Sequence, residues 1–219
     1  MEKIIQNESK HANAVRFIEA AQELIDTEGI ELISIRKIAD KAGFHNSTLY
    51  LYFQNADQLI MLASLKYFQE YSLALEKLSR TDASAIDNFY SIWAFFSETV
   101  FQKPNIFYNF FFGKYSDDLT NILKQYYLLF PNEQKKYSAE IEKMYYARNI
   151  YQRSLLILTP LMEDPKTRLN AENLDLINDI IISCLKSLLE EKCRNLDLSV
   201  KDFTTRLLAM IHLVIDTNS

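Results

Sequence analysis

The side chains of this 219-residue chain that could do chemistry gather in two places. The first is the stretch 34–53, Ser-Ile-Arg-Lys-Ile-Ala-Asp-Lys-Ala-Gly-Phe-His-Asn-Ser-Thr-Leu-Tyr-Leu-Tyr-Phe. Here Ile35, Ile38, Ala39 and Ala42 recur at helical spacing, Gly43 permits a tight turn, and Phe44 plugs the small core behind it. A third short helix starting near Asn46 then projects Thr48, Tyr50 and Tyr52 outward, an arrangement that suits the major groove of a duplex. The second place is 89–151, which holds 19 of the 28 aromatic residues. Trp93, Phe96, Phe107, Phe111, Tyr127, Tyr145 and Tyr151 suggest an aromatic-lined cavity with tyrosine hydroxyls as polar anchors. A tightly packed aromatic core is the competing reading. Arg148 and Arg153 stand among these residues, each able to pair with an acidic ligand but more often solvated. No nucleophile–base–acid pattern, metal-ligand spacing or Gly-rich phosphate loop is present, so neither an enzyme nor a cofactor is expected.

The elements that must position these residues read as all-α. Apolar residues make up 48%, and only three glycines and four prolines punctuate helical periodicity, too few for an all-β fold. Spans of 13–27, a short second helix capped by Ser34, a third near Asn46, and 56–79 capped by Asn55 lead into 83–102, 105–112, 117–130, 133–161, 172–194 and 199–216. That is nine or ten helices, with a three-helix head in 1–54 and a second helical domain in 55–219. Phe110, Phe111 and Phe112 cannot share one face, because successive helix positions lie about 100° apart.

The 34–53 stretch resembles the DNA-binding signature of TetR-family transcriptional regulators (TetR/AcrR-like), with Ala39, Gly43, Thr48, Leu49, Tyr50, Tyr52 and Phe53 in that family's pattern. The resemblance implies a homodimeric repressor that binds a pseudo-palindromic double-stranded DNA operator and is released by a small apolar or aromatic effector. It implies base reading by Arg36 and Asn46, groove or backbone contacts by Thr48, Tyr50 and Tyr52, and a phosphate neighbour in Lys37. His45 and Ser47 would sit at the exposed start of the third helix. Departures from the pattern are Ala56 for a phosphate-binding lysine, Leu51 for a histidine, and Asn46 for a lysine.

Charge refines this expectation. The whole chain carries −5, and residues 1–60 hold six basic and nine acidic side chains, for −3. Arg36, Lys37 and Lys41 cluster near the turn, with Lys3 and Lys10 in the N-terminal arm. Such a head predicts modest nonspecific affinity and a shallow salt dependence. A helical small-molecule-binding protein with a weakened head is the alternative reading.

The last two helices carry apolar arcs too wide for one packing side. Leu174, Ile177, Ile181, Leu185 and Leu188, with Leu207, Ile211 and Val214, predict an isologous four-helix dimer interface. Cys184 and Cys193 lie nine residues apart on one predicted helix, too far to bridge, and read as small buried hydrophobes. His212 reads as a packed or interface residue. With a polar start at 1–10 and no long apolar run, the expectation is a cytoplasmic protein without a membrane partner.

Overall fold

The computed structural model describes residues 7–78 and 84–216, so Lys3, Ser79 and Ala83 lie outside the described residues. Among the described residues the fold is all-α, with one isolated bridge between Thr167 and Asp216. Helix α1 spans Glu8–Glu28 and starts earlier than its apolar periodicity predicts. The cause is local: the Asn7 side chain accepts the Lys10 N–H at 3.0 Å and caps the helix there. Its buried face is Ala14, Phe17, Ile18, Ala21, Leu24 and Ile25. Helix α2, Ile35–Ala42, is capped by Ser34, which accepts the Lys37 N–H at 3.3 Å, and buries Ile38, Ala39 and Ala42.

Gly43 ends α2 at φ 76°, ψ 36°, the left-handed region. The Phe44 N–H then reaches back to the Ala39 carbonyl at 2.9 Å and the Gly43 N–H to Asp40 at 3.2 Å. The third head helix, Asn46–Leu51, is a six-residue 3-10 helix. It is squeezed between the Gly43 turn and the Asn55 cap, and its polar first residues favour local side-chain bonds over α-helix. Phe17 is the centre of the head, with the rings of Phe44 at 4.9 Å, Tyr52 at 5.8 Å and Phe53 at 6.1 Å.

Helix α3, Ala56–Leu78, is capped by Asn55, which accepts the Gln58 N–H at 3.0 Å. It is buried on nearly every side, through Leu59, Leu62, Leu65, Phe68, Tyr71 and Leu75 among others. It carries the head at one end, and the remaining helices wrap the rest. These are α4 Ala85–Gln102, α5 Pro104–Phe112, α6 Leu119–Leu129, α7 Ala139–Tyr145, α8 Ile150–Leu158, α9 Leu174–Arg194 and α10 Val200–Ile215. Within α5, Phe110 stacks on Phe68 at 4.5 Å and Phe111 packs on Phe96 at 5.5 Å. Phe112 turns to a third neighbourhood beside Tyr108 and Lys186.

The single helix predicted over 133–161 is in fact α7, α8 and a 3-10 turn, Thr159–Glu163. The break at 146–149 is made by tertiary contact. The Leu119 N–H donates to the Arg148 carbonyl at 3.0 Å, and Thr120 Oγ1 donates to the Tyr146 carbonyl at 2.8 Å. The start of α6 thus satisfies carbonyls that a continuous helix would have used, and Asn149 caps α8 by accepting the Gln152 N–H at 3.0 Å.

Candidate functional site

In the head, the structure separates the predicted contact residues into an exposed set and a committed set. Asn46, Ser47 and Tyr50 are exposed, Tyr50 at 56%. Thr48 is half-buried beside them. Arg36 projects from α2 with only a loose approach to Asp40, 3.7 Å away, on a side chain 82% exposed. Leu51, which sequence reasoning noted only as a departure, is exposed at the end of the same short helix. Its position at the last turn before the Tyr52 cap was the signal available.

The other predicted contacts are engaged by the chain itself. Lys37 Nζ sits 2.5 Å from Glu28 Oε2 and donates to the Leu32 carbonyl at 2.9 Å. Lys41 is 2.5 Å from Glu23. The acids of α1 therefore neutralise the lysines of α2. Tyr52 was expected to face outward, but its ring packs on Phe17 and its hydroxyl accepts from Asn13 at 3.0 Å. His45 is turned to Ser47, its Nδ1 2.9 Å from Oγ, and serves as the local cap of the 3-10 helix.

The head is fastened to the body by polar contacts. Lys66 and Tyr67 of α3 both donate to Asp26 of α1, Asn105 donates to Glu31, and His11 Nε2 lies 3.0 Å from the Leu129 carbonyl. Burial works to raise the Asp26 pKa, but the bonds from Lys66 and Tyr67 and the charges of Lys66 and Lys103 outweigh it and hold the carboxyl below its usual value.

In the body, the predicted aromatic cavity is almost filled. A gap of about 20 Å³ remains between α3, α4, α7 and α8, lined by Tyr71, Trp93, Phe96, Met144, Arg153 and Ser154. Of the predicted ligand contacts, Trp93 and Phe96 line it. Phe111 stands behind Phe96 at a ring separation of 5.5 Å, and Phe107 behind Phe111 at 6.0 Å. Tyr145 stacks on Phe68 at 5.0 Å, and its hydroxyl lies 2.6 Å from that of Tyr127, which accepts from Gln69 at 2.8 Å. Arg148 and Tyr151 do not reach the gap. Arg148 is exposed and donates to the Asp117 carbonyl at 2.8 Å, while Tyr151 is on the outer side of α8. The long helix that would have aligned them with Tyr145 does not exist.

Arg153 overturns the expectation of a solvated arginine: it is 3% exposed. Its guanidinium lies 4.5 Å over the Phe68 ring and 6.0 Å from that of Phe111, and donates to the Met144 carbonyl. Burial pulls its pKa down, opposed by the neighbouring Tyr71, and burial pushes the Tyr71 phenol up to about 12. Sequence reasoning missed Phe68, Tyr71 and Ser154, which are ordinary members of helical apolar or polar runs.

On α9 and α10, Ile177, Ile181, Leu185, Leu188, Leu207 and Ile211 are buried within the chain, and Leu174 and Val214 are half-buried. These residues were assigned to a partner, but the body consumes most of that seam; Phe203, for instance, packs on Phe101 at 5.3 Å. The arc left outside is Leu176 at 62% exposure, Ile180, Met210 and Leu213 at 63%. Among the described residues no helix is long and apolar enough to cross a membrane.

Residues 17–61 match the family described as bacterial regulatory proteins, tetR family. An HTH-type transcriptional regulator of Saccharopolyspora erythraea is 34% identical over 61 residues, 28% of this chain and 26% of that protein, so the likeness spans about a quarter of either. Solved structures extend the likeness in fold. RolR in complex with resorcinol superposes with a TM-score of 0.59 at 17% identity, covering 93% of this chain and 90% of that one. The repressor FadR of Thermus thermophilus, in complex with lauroyl-CoA, gives 0.56 at 14% identity over 94% and 98%. The head, over residues 17–61, is thus matched in sequence to the tetR family of bacterial regulatory proteins, and the whole chain is similar in fold to these solved structures.

Proposed function

We propose that this protein is a ligand-responsive transcriptional repressor, binding a pseudo-palindromic operator as a homodimer, with 1–54 reading DNA and 55–219 holding the effector and the partner. The observation that carries the reading is the exposed flank of the turn: Arg36, Asn46, Ser47 and Tyr50 stand clear of the chain's own core. Arg36 has the fork geometry for guanine, and the Asn46 amide suits adenine. Exposed Leu51 adds an apolar surface of the kind that meets a thymine methyl. The paired lysines support a head that depends on groove contacts more than on phosphate charge. The effector is a small apolar or aromatic compound entering the aromatic body, in keeping with the ligands named for RolR and FadR. The outer arc of Leu176, Ile180, Met210 and Leu213 supplies the dimer face, and the site of action is the cytoplasm.

The test is fluorescence anisotropy of the full chain on DNA from its own upstream region. Saturable, sequence-dependent binding is expected, falling about tenfold or more in Arg36→Ala and in Tyr50→Ala, with sedimentation and melting unchanged. The absence of such binding at low salt replaces this reading by the alternative, a helical small-molecule-binding protein whose head has weakened. The neutralised Lys37 and Lys41 are the observation that favours that alternative.

A further inference from the structure

Arg153 brings a cation into the body with no carboxylate in contact with it among the described residues. Its neighbours are two aromatic faces, the Tyr71 phenol and one carbonyl oxygen. A guanidinium has five N–H donors, and the Met144 carbonyl and the Tyr71 hydroxyl supply oxygens but no counter-charge. Cation–π contact offsets part of the desolvation cost, but a buried charge is satisfied fully only by a hydrogen-bonded counter-charge. Two further donors belong to residues that line the same small gap. Trp93 Nε1 and Ser154 Oγ are buried, on residues 2% and 3% exposed, and neither has a partner among the described residues. The gap is thus lined mainly by apolar side chains, with the donors of Arg153, Trp93 and Ser154 on three of its lining residues and no acidic side chain among the described residues that line it. Its volume of about 20 Å³ matches one small polar group. At its mouth, half-buried Ile92 and Ile157 present apolar surface.

We propose that this gap is the anion-holding end of the effector site, so that the effector is an apolar or aromatic compound bearing one carboxylate. The carboxylate pairs with Arg153 and accepts from Ser154 Oγ and Trp93 Nε1. The apolar body lies against Phe96, Ile92 and Ile157, with flexible Met144 giving way. A neutral compound can answer the donors with a carbonyl oxygen but leaves the guanidinium without a counter-charge, and a cationic one is repelled. This rests on the reading that the body binds an effector, and it narrows that effector to a charge class.

Trp93 is the only tryptophan in the chain, so intrinsic fluorescence reports on the gap directly. Benzoate and octanoate are titrated into the full-length protein beside benzamide and benzylamine. A saturable change with at least one of the two acids is expected. Benzamide should bind roughly tenfold more weakly than benzoate, the loss that follows when a charged donor loses its ionic partner. Arg153→Gln should erase the preference for acid over amide. Because that variant removes a buried residue, Arg153→Lys and Ser154→Ala are measured beside it, with a thermal melt of each. Arg153→Lys should retain the preference for acid, and Ser154→Ala should weaken the acid several-fold while melting as the parent does. Equal affinity for benzoate and benzamide overturns the proposal, as does no saturable response to either acid up to roughly 10 mM. Operator anisotropy on the same samples separates the two readings. Carboxylate binding without DNA binding removes the regulator and keeps the anion site, whereas release of DNA by benzamide but not by benzoate removes the anion site alone.

Discussion

Lys37 and Lys41 show how little a residue's type says about its availability. Each is a lysine on the expected face of a reading head, and each is held at 2.5 Å by an acid of α1. Exposed pairs of this kind add only about 0–1 kcal/mol to stability, so on the proposed function their consequence lies in the charge offered to DNA. Glu28→Gln frees Lys37 and is expected to raise affinity at low salt. It should also steepen the slope of log K against log salt by about 1, the increment for one added phosphate contact. An unchanged slope in an anisotropy series from low to moderate salt would show that Lys37 cannot reach the backbone. Gly43 is a second position where one residue decides. An alanine there would be forced to φ 76° with its Cβ 3.0 Å from an Arg16 nitrogen. Gly43→Ala is expected to cost about 1–2 kcal/mol, visible as a melting point lower by a few degrees.

Elements were legible where their ends are written locally. Ser34, Asn55 and Gly43 make the bonds that capping chemistry assigns to them, because each partner lies within four residues. The end of α7 is not written locally. No glycine or proline occupies 146–149, and the carbonyls freed there are satisfied by α6, far off in sequence. Arg153 was opaque for the same reason: its burial follows from the convergence of α3, α5 and α8, which no local pattern records. The junction between α1 and α3 has its own signature in pH. Asp26, bonded by Lys66 and Tyr67, has a folded pKa below its unfolded one. Its contribution is therefore present above the ordinary aspartate value of about 3.9 and is lost as pH falls through the lower folded value. Asp26→Asn should lower stability by at most about 1 kcal/mol near neutrality, since the carboxylate is half exposed. The gap in melting temperature between parent and variant should close as pH falls below the lowered folded value of Asp26. A gap that persists there would mean that the carboxylate charge is not what secures the junction.

For the whole molecule, the width of the apolar arc on the last two helices was readable, but its division between core and outer surface was not. Periodicity shows that two sides are apolar without showing which one the body takes. The structure buries Ile211 and leaves Leu213 at 63% exposure, only two residues away. The two positions should respond differently. Leu213→Glu is expected to yield monomers in sedimentation equilibrium with melting largely preserved, and to abolish cooperative operator binding. Ile211→Ala should instead cost about 2–5 kcal/mol of folding stability wherever the dimer stands. If Leu213→Glu sediments as the parent does, the outer arc is not the contact between copies. The six residues 66–71 of α3 serve two masters. Lys66 and Tyr67 grip the head at Asp26, and Phe68 and Tyr71 cage the guanidinium of Arg153. A rigid rod cannot roll on one side and stay still on the other. On the proposed function, selection for inducer-blind and for constitutively released mutants should therefore yield both phenotypes from this one and a half turns, whereas the outer arc of Leu176, Ile180, Met210 and Leu213 should yield released mutants alone.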